Sequence, residues 1–175
     1  MGYRDKELEI TRNVRRTFTS VSILWLGYLM MGIIVALISW ALMSYSREPL
    51  IKGISSDIVI QLRNILIAIG VGEIILGLWL KTRFLESAKK TDRESLSSKS
   101  SELFQTITKA YAQAHLIPAA LAIGPAFYGL ILGCMGADKN SVILLFIISF
   151  FGLWLFQPRI KQLRTLVSQF HFYPE

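Results

Sequence analysis

Few residues of this chain can do chemistry inside a membrane, and the most informative of them is Glu73. It stands alone among apolar side chains in the run from 65 to 80, ILIAIGVGEIILGLWL. A carboxylate at the centre of a membrane helix costs roughly 2.5 to 3.5 kcal/mol on insertion scales, so it is neutralised, paired or used. Counting from Lys81 at about 1.5 Å per residue places Glu73 about 12 Å from the inner end of its helix.

Counting to the same depth in other apolar runs brings two hydroxyl groups to the level of Glu73. They belong to Tyr28 in the first run and Ser149 in the fourth, and either is a candidate hydrogen-bond donor to the carboxylate. His115 lies closer to the inner end of the third run, within reach only through water. This set predicts either a proton or cation site or hydrogen bonding that serves the structure alone, and the sequence leaves both open.

Other kinds of chemistry find little support in the sequence. Cys134 is the single cysteine, so we expect neither an internal disulfide nor a thiolate metal cluster. Two histidines, His115 and His171, cannot build a metal or catalytic constellation, and no Gly-rich phosphate loop or dinucleotide fingerprint is present. We therefore expect no enzyme activity, no metal and no cofactor.

The composition indicates that these residues are positioned by membrane helices. Of the 175 residues, 53% are hydrophobic and only 18% are charged, which is typical of a membrane protein. About 20 residues cross the roughly 30 Å of hydrocarbon. Four apolar runs predict an all-α polytopic fold with transmembrane helices at about 20–44, 58–82, 112–135 and 141–157. The first run is too long for the core of a signal peptide and lacks a cleavage site, so it is expected to be retained.

The positive charges predict the orientation of these helices. Of the 19 Lys and Arg residues, only Arg47, Lys52, Arg63 and Lys139 lie outside the segments before helix one, between helices two and three, and after helix four. Positive residues stay in the cytoplasm, so both termini and the central loop should face it, in a multi-pass protein of the cell (inner) membrane. Topology and attraction to anionic lipid account for the net charge of +7 without nucleic acid.

Residues 83–111 are predicted to form a cytoplasmic helical hairpin. The pattern of helix two continues through Phe84 and Ala88, and Ser101 is a suitable cap for a helix that leads into helix three. A serine-rich stretch between these helices favours a turn. The segment before helix one is expected to be an amphipathic helix, with Ile10, Val14 and Phe18 at helical spacing.

The C-terminal segment 158–175 is also amphipathic. Its apolar stripe consists of Ile160, Leu163, Val167 and Phe170, with Lys161 and Arg164 off the stripe. Such a helix is expected to lie on the inner membrane surface. The alternative is a docking surface for another subunit, because exposed apolar stripes often mark contacts.

Small residues four apart predict where the helices approach one another closely. We expect these pairs to pack within the bundle, with a homodimer face as the alternative: Gly129 and Gly133, Gly32 and Ala36, and Ala68 and Gly72. Pro118 and Pro125 each remove a backbone hydrogen bond and predict kinks in helix three. The kinks are either structural or a functional hinge.

The stretch AIGPAFYGLILG, from 122 to 133, resembles part of the second helix of proteolipid rotor subunits of rotary ATPases. Tyr128, Gly129, Leu130 and Ile131 carry the match. That family has an ion-binding carboxylate shortly before the tyrosine, where this chain has Ile123, so the rotor's ion-carrying role does not transfer to helix three. The whole chain resembles uncharacterised small bacterial four-helix integral membrane proteins that have a comparable third helix and a Pro-Arg pair ending the fourth.

These features favour a non-enzymatic integral membrane protein that acts as a small accessory or assembly subunit of a larger membrane complex. Its expected partners are the lipid bilayer and other membrane subunits or further copies of itself. The alternative is a small oligomeric transporter of protons, ions or small solutes. That transporter would use Glu73, with Tyr28, Ser149 and His115 on its path.

Overall fold

In a computed structural model the described residues of the chain fold almost entirely into helices, as the apolar runs predict. The structure describes residues 3–45, 50–51, 53–94 and 100–168, and the side chains within 10–45, 50–51, 53–88 and 104–168. The helices are α1 (Tyr3–Tyr45), α2 (Ser56–Glu94), α3 (Ser100–Ala122), α4 (Gly124–Cys134), α5 (Lys139–Leu155) and α6 (Ile160–Ser168).

Within the described residues, four segments are long and apolar enough to cross a membrane. They are Ile10–Tyr45, Ser56–Ala88, Phe104–Cys134 and Lys139–Ser168. The prediction of an all-α protein with four membrane-spanning helices is therefore confirmed. The hairpin helices continue as expected, since α2 runs to Glu94 and α3 starts at Ser100, while residues 95–99 at the predicted turn lie outside the described residues.

The third span is interrupted at Ile123, between α3 and α4. Pro125 has no N–H, and its ring would clash with the carbonyl four residues earlier. The next amide, Ala126 N, donates to Ile123 O at 3.0 Å rather than to the carbonyl of Ala122. The proline pair therefore acts unequally: Pro125 coincides with a break, whereas Pro118 lies inside α3, which continues through it.

The third and fourth spans form the centre of the bundle. In their most apolar windows, 44% of residues are buried, against 17% for the first span and 11% for the second. α2 packs mainly on α3 and α4, and α1 packs on α3, α4 and α5. The first two spans therefore leave most of their apolar surface to lipid or to another protein.

Glycines on α2 and α5 allow close approach between these helices and their neighbours. A methyl group at Gly77 would lie 2.7 Å from Phe156 Cζ, and one at Gly70 would lie 2.9 Å from Pro125 Cγ. A methyl group at Gly152 of α5 would lie 2.9 Å from the Ala122 side chain. The inner face of α2 is thus set by residues seven apart.

The predicted small-residue pairs divide into two groups. A methyl group would meet neighbouring atoms at Gly129 (Val142 O, 3.4 Å), Gly133 (Met43 Cγ, 3.7 Å) and Gly32 (Phe150 Cε1, 3.5 Å), and Ala36 lines a groove against α5. Ala68 and Gly72 are exposed, and a methyl group on Gly72 would have no neighbour within 4 Å. Internal packing is therefore the wrong prediction for this last pair, because the opposite face of α2 turns inward.

A second apolar cluster forms where α1, α3 and α6 extend past the apolar runs. It includes Val14, Ile107 and Tyr111, with Leu163 and Val167 of α6 fully buried among them. The prediction that the Leu163 and Val167 stripe faces the membrane surface or another subunit is therefore wrong. The long α1 and α3 already offer an apolar face that covers it, and residues 169–175 lie outside the described residues.

Candidate functional site

Glu73 lies at the break in the third span and is paired with a tyrosine. Tyr128 of α4 donates its hydroxyl hydrogen to Glu73 Oε1 at 2.6 Å. The second oxygen, Oε2, is shielded and has no hydrogen-bond partner among the described residues. This distance is at the short end of the range for O–H···O hydrogen bonds.

Gly124 provides the space for the carboxylate. A methyl group at this position would clash with Glu73 Oε2 and lie 3.0 Å from both Cδ and Oε1. Gly124 is also the first residue of α4, so the carboxylate lies at a helix N-terminus, where the helix dipole favours negative charge. Glycine is therefore required here by close approach, since its φ is not in the left-handed region.

Ser149 is part of the same region but binds the backbone. Its Oγ donates to Ala122 O at 2.8 Å, and this carbonyl is the one that lost its usual amide donor at the break. The prediction that Ser149 donates to Glu73 is therefore wrong, because its hydroxyl hydrogen goes to the freed carbonyl. Ser149 satisfies the broken helix from the side of α5.

Tyr28 is likewise not the donor to Glu73. Its side chain packs against an apolar cluster that includes Ile74, Leu153 and Phe156. α1, which carries Tyr28, packs mainly on α3, α4 and α5 rather than on α2. α4 contacts α2 directly and supplies Tyr128 as the donor instead.

A second polar site lies at the C-terminal end of α5, where the last carbonyls of the helix lack donors from the helix itself. Side chains from three other helices donate to three of these carbonyls. Trp25 Nε1 donates to Leu153 O, Lys81 Nζ to Leu155 O and His115 Nδ1 to Phe156 O, each at 3.0 Å. Tyr111 OH donates at 3.2 Å to Arg159 O, just before α6. The first three bonds fix α1, α2 and α3 to the end of α5, and the fourth fixes α3 to the start of α6.

His115 belongs to this terminus rather than to a relay with Glu73. Because a carbonyl oxygen can only accept, the contact with Phe156 O assigns the proton to Nδ1. The ring is fully buried and contacts the ring of Tyr111, with centroids 4.6 Å apart and the ring planes tilted by 52°. Eight residues of α3, or about 12 Å, separate His115 from the break.

A third polar site joins α2 to the start of α5. Asp138 caps α5 by accepting from Ser141 N at 3.0 Å and from Ser141 Oγ at 2.6 Å. Arg63 Nη1 lies 3.6 Å from Asp138 Oδ1. The hydrogen bonds from Ser141, with a smaller effect from Arg63, hold the pKa of Asp138 below its usual value. Arg63 is thus paired at the end of the span, as its position before the apolar run indicates.

These sites define what the arrangement can do. The Glu73 and Tyr128 pair can exchange a proton or hold a cation, and it can equally fasten α2 to α4. Among the described residues no group of three His, Cys, Asp or Glu side chains is placed to hold a metal ion.

Sequence reasoning missed Tyr128 and Gly124 as partners of Glu73. A signal for Tyr128 was present in the side-chain direction, because a helical side chain leans toward the N-terminus of its own helix. A tyrosine one turn beyond the level of Glu73 can therefore reach it. Nothing in the spacing identified Gly124, whose role depends on which face of α2 turns inward.

By its fold the chain is a multi-pass, four-span helical membrane protein with an intramembrane Glu–Tyr pair at a broken helix. Comparison with models of known families, with curated proteins and with solved structures gives no match.

Proposed function

We propose that this chain is a non-enzymatic accessory or assembly subunit that binds another membrane protein, or a second copy of itself, through the outer face of α2. The observation that carries this proposal is the exposed small-residue face at Ala68 and Gly72, where a methyl group on Gly72 would meet no atom within 4 Å. In lipid, helices associate by close packing, and small residues four apart permit it.

Small residues four apart leave a shallow groove along this face of the helix. Ile65, Ile69 and Leu76 are exposed beside Ala68 and Gly72. Bulky ridges that flank a small-residue floor fit a second helix, because its ridge can enter the groove. Lipid chains need no such shape.

The neighbouring polar pair also supports a protein partner. Glu73 and Tyr128 are only partly buried, and Gly72 precedes Glu73 in the sequence. A carboxyl group that is partly open to hydrocarbon is costly. A helix docked on α2 would complete the burial of this pair.

The exposed face of α1 provides a contrast. Gly27 also has open space around it, but the residues four positions away, Ile23 and Met31, are large and exposed. No small-residue groove forms there, so lipid is a sufficient neighbour for α1. Gly27 is therefore a matched control position for Gly72.

The test uses the full chain, tagged and expressed from its own locus, purified in mild detergent and sized by native mass spectrometry. We expect a stoichiometric assembly for the wild type, its loss in Gly72→Leu, which fills the groove, and its retention in Gly27→Leu. Equal behaviour of the two variants, or a wild-type chain that purifies alone, contradicts the proposal. Circular dichroism of both variants checks that each remains folded.

A second candidate, proton or ion transport, is favoured by one observation. The shielded Oε2 of Glu73 lies at the N-terminus of a broken membrane helix, and broken helices in transporters often form ion sites. Proton flux into liposomes should then fall in Glu73→Gln. Equal flux for wild type and variant, or no flux in either, eliminates this candidate.

A further inference from the structure

A groove of about 540 Å³ lies between α1 and α3, away from the Glu73 site. Both helices run in the same direction, from the charged end of the molecule toward its apolar middle. Both walls of the groove therefore become more apolar in the same direction. Its composition changes from polar to apolar along its length.

The polar end of the groove is positively charged. Arg16 on α1 and Lys109 on α3 stand on opposite walls, together with hydroxyl and amide groups from Thr17, Gln105 and Thr108. No acidic side chain occurs among the described residues that line it. Two cations with neighbouring hydrogen-bond donors suit a phosphate group.

The other end of the groove is apolar. Val21 and Leu24 on α1 face Ala112 and Leu116 on α3. Leu24 is among the exposed large hydrophobic residues, so its side chain is open to an occupant of the groove. These residues belong to the parts of α1 and α3 that lead into the apolar runs. An occupant here meets the acyl region of a bilayer rather than water.

We propose that this groove binds one anionic phospholipid. Its phosphate lies between Arg16 and Lys109, and one acyl chain follows Val21, Leu24 and Leu116. Basic pockets between membrane helices at the positively charged side bind anionic headgroups. A free phosphate would use the polar end alone and would leave the apolar end without a role.

A second basic groove on the molecule offers a control of equal charge. Arg15 and Arg164 line it between α1 and α6, with a volume of about 650 Å³. Its apolar lining is confined to Val14 and Ile160, so it has no acyl-chain track comparable to the first groove. Removing two charges from either groove changes the net charge of the protein by the same amount.

The test measures binding of dioleoyl phosphatidylglycerol and dioleoyl phosphatidylcholine to the purified full chain by native mass spectrometry. Wild type should prefer phosphatidylglycerol. The double variant Arg16→Gln, Lys109→Gln should bind it about 30-fold more weakly, from the loss of two cations near an anionic headgroup. The double variant Arg15→Gln, Arg164→Gln should bind within about twofold of wild type, because neither residue lines the first groove.

A third variant separates lipid from free phosphate. Leu24→Gln changes no charge, and it should weaken phosphatidylglycerol binding several-fold while leaving the fold intact, since Leu24 is exposed. Inorganic phosphate at millimolar concentration should not displace the lipid. Equal loss in both double variants, equal binding of the two lipids to wild type, no effect of Leu24→Gln, or displacement by phosphate would each overturn the proposal.

Discussion

Gly124→Ala is the most direct perturbation of the intramembrane carboxylate. The added methyl group would clash with Glu73 Oε2 and lie 3.0 Å from Cδ and Oε1. The carboxylate must then move, and it would lose the 2.6 Å hydrogen bond from Tyr128. Since Gly124 has no left-handed φ, alanine meets no backbone strain there. Any destabilisation therefore reports the contact with Glu73.

The expected magnitude follows from these two effects. Overpacking by a methyl group costs about 1 to 3 kcal/mol where the neighbours cannot relax. A hydrogen bond between membrane helices contributes about 0.6 kcal/mol on average and about 1.7 at most. Because Glu73 is only partly buried and can turn aside, we expect Gly124→Ala to lower the free energy of unfolding by about 1 to 2 kcal/mol.

The assay is a double-mutant cycle in mixed micelles, with reversible unfolding by sodium dodecyl sulfate followed by circular dichroism. The four proteins are wild type, Gly124→Ala, Glu73→Ala and the double variant. Without the carboxylate the methyl group has room, so Gly124→Ala should cost less than about 0.5 kcal/mol in the Glu73→Ala background. Additive changes across the cycle would refute the close contact of Gly124 with Glu73.

Two further predictions concern other contacts. Gly77→Ala places a methyl group 2.7 Å from Phe156 Cζ and should lower the free energy of unfolding by about 1 to 3 kcal/mol. Gly72→Ala adds its methyl group to open space and should leave that free energy unchanged or raise it slightly. The same unfolding assay measures both variants. Asp138→Ala should cost about 1 kcal/mol through the lost cap, and Asp138→Asn less, because asparagine also caps helices. Hydrogen bonds from Ser141 hold the pKa of Asp138 low, so the advantage of wild type over Asp138→Asn is complete above the ordinary carboxyl pKa. It should shrink as the pH falls through the lowered pKa; an advantage that persists in acid would contradict this.

The four spans could be predicted because length and apolar composition alone decide whether a helix can cross a bilayer. The Gly124 and Pro125 break was only partly predictable. Two prolines of the same helix gave the same sequence signal, but α3 continues through Pro118 and ends before Pro125. Glycine next to the second proline, and the hydroxyl of Ser149 that satisfies the freed Ala122 carbonyl, distinguish the two positions.

Counting residues along each helix predicted the depth of Glu73 in the membrane but named Tyr28 and Ser149 as its partners, which is wrong. A count along each helix gives height without direction, and Tyr28 belongs to a helix that packs on the other side of the bundle. Lys81 and His115 share a level, since they donate to adjacent carbonyls of Leu155 and Phe156. Eight residues beyond His115 is Ile123, beside the glycine that Glu73 contacts. The tyrosine reaches back to that level from the next turn.

Spacing along the sequence also does not show which of the two small-residue faces of α2 turns into the bundle. Gly70 and Gly77 turn inward, and Ala68 and Gly72 turn outward, about 180° away at roughly 100° per residue. The inward glycines are explained by the close approach of α3, α4 and Phe156. A lipid-facing side has no comparable need for small residues, since lipid adapts to bulky side chains. Two opposite small-residue faces on one helix support the proposal that a second protein neighbour packs on the outward face of α2. Glu73 lies at the edge of the inward face, where a partner on the outward face would close over it.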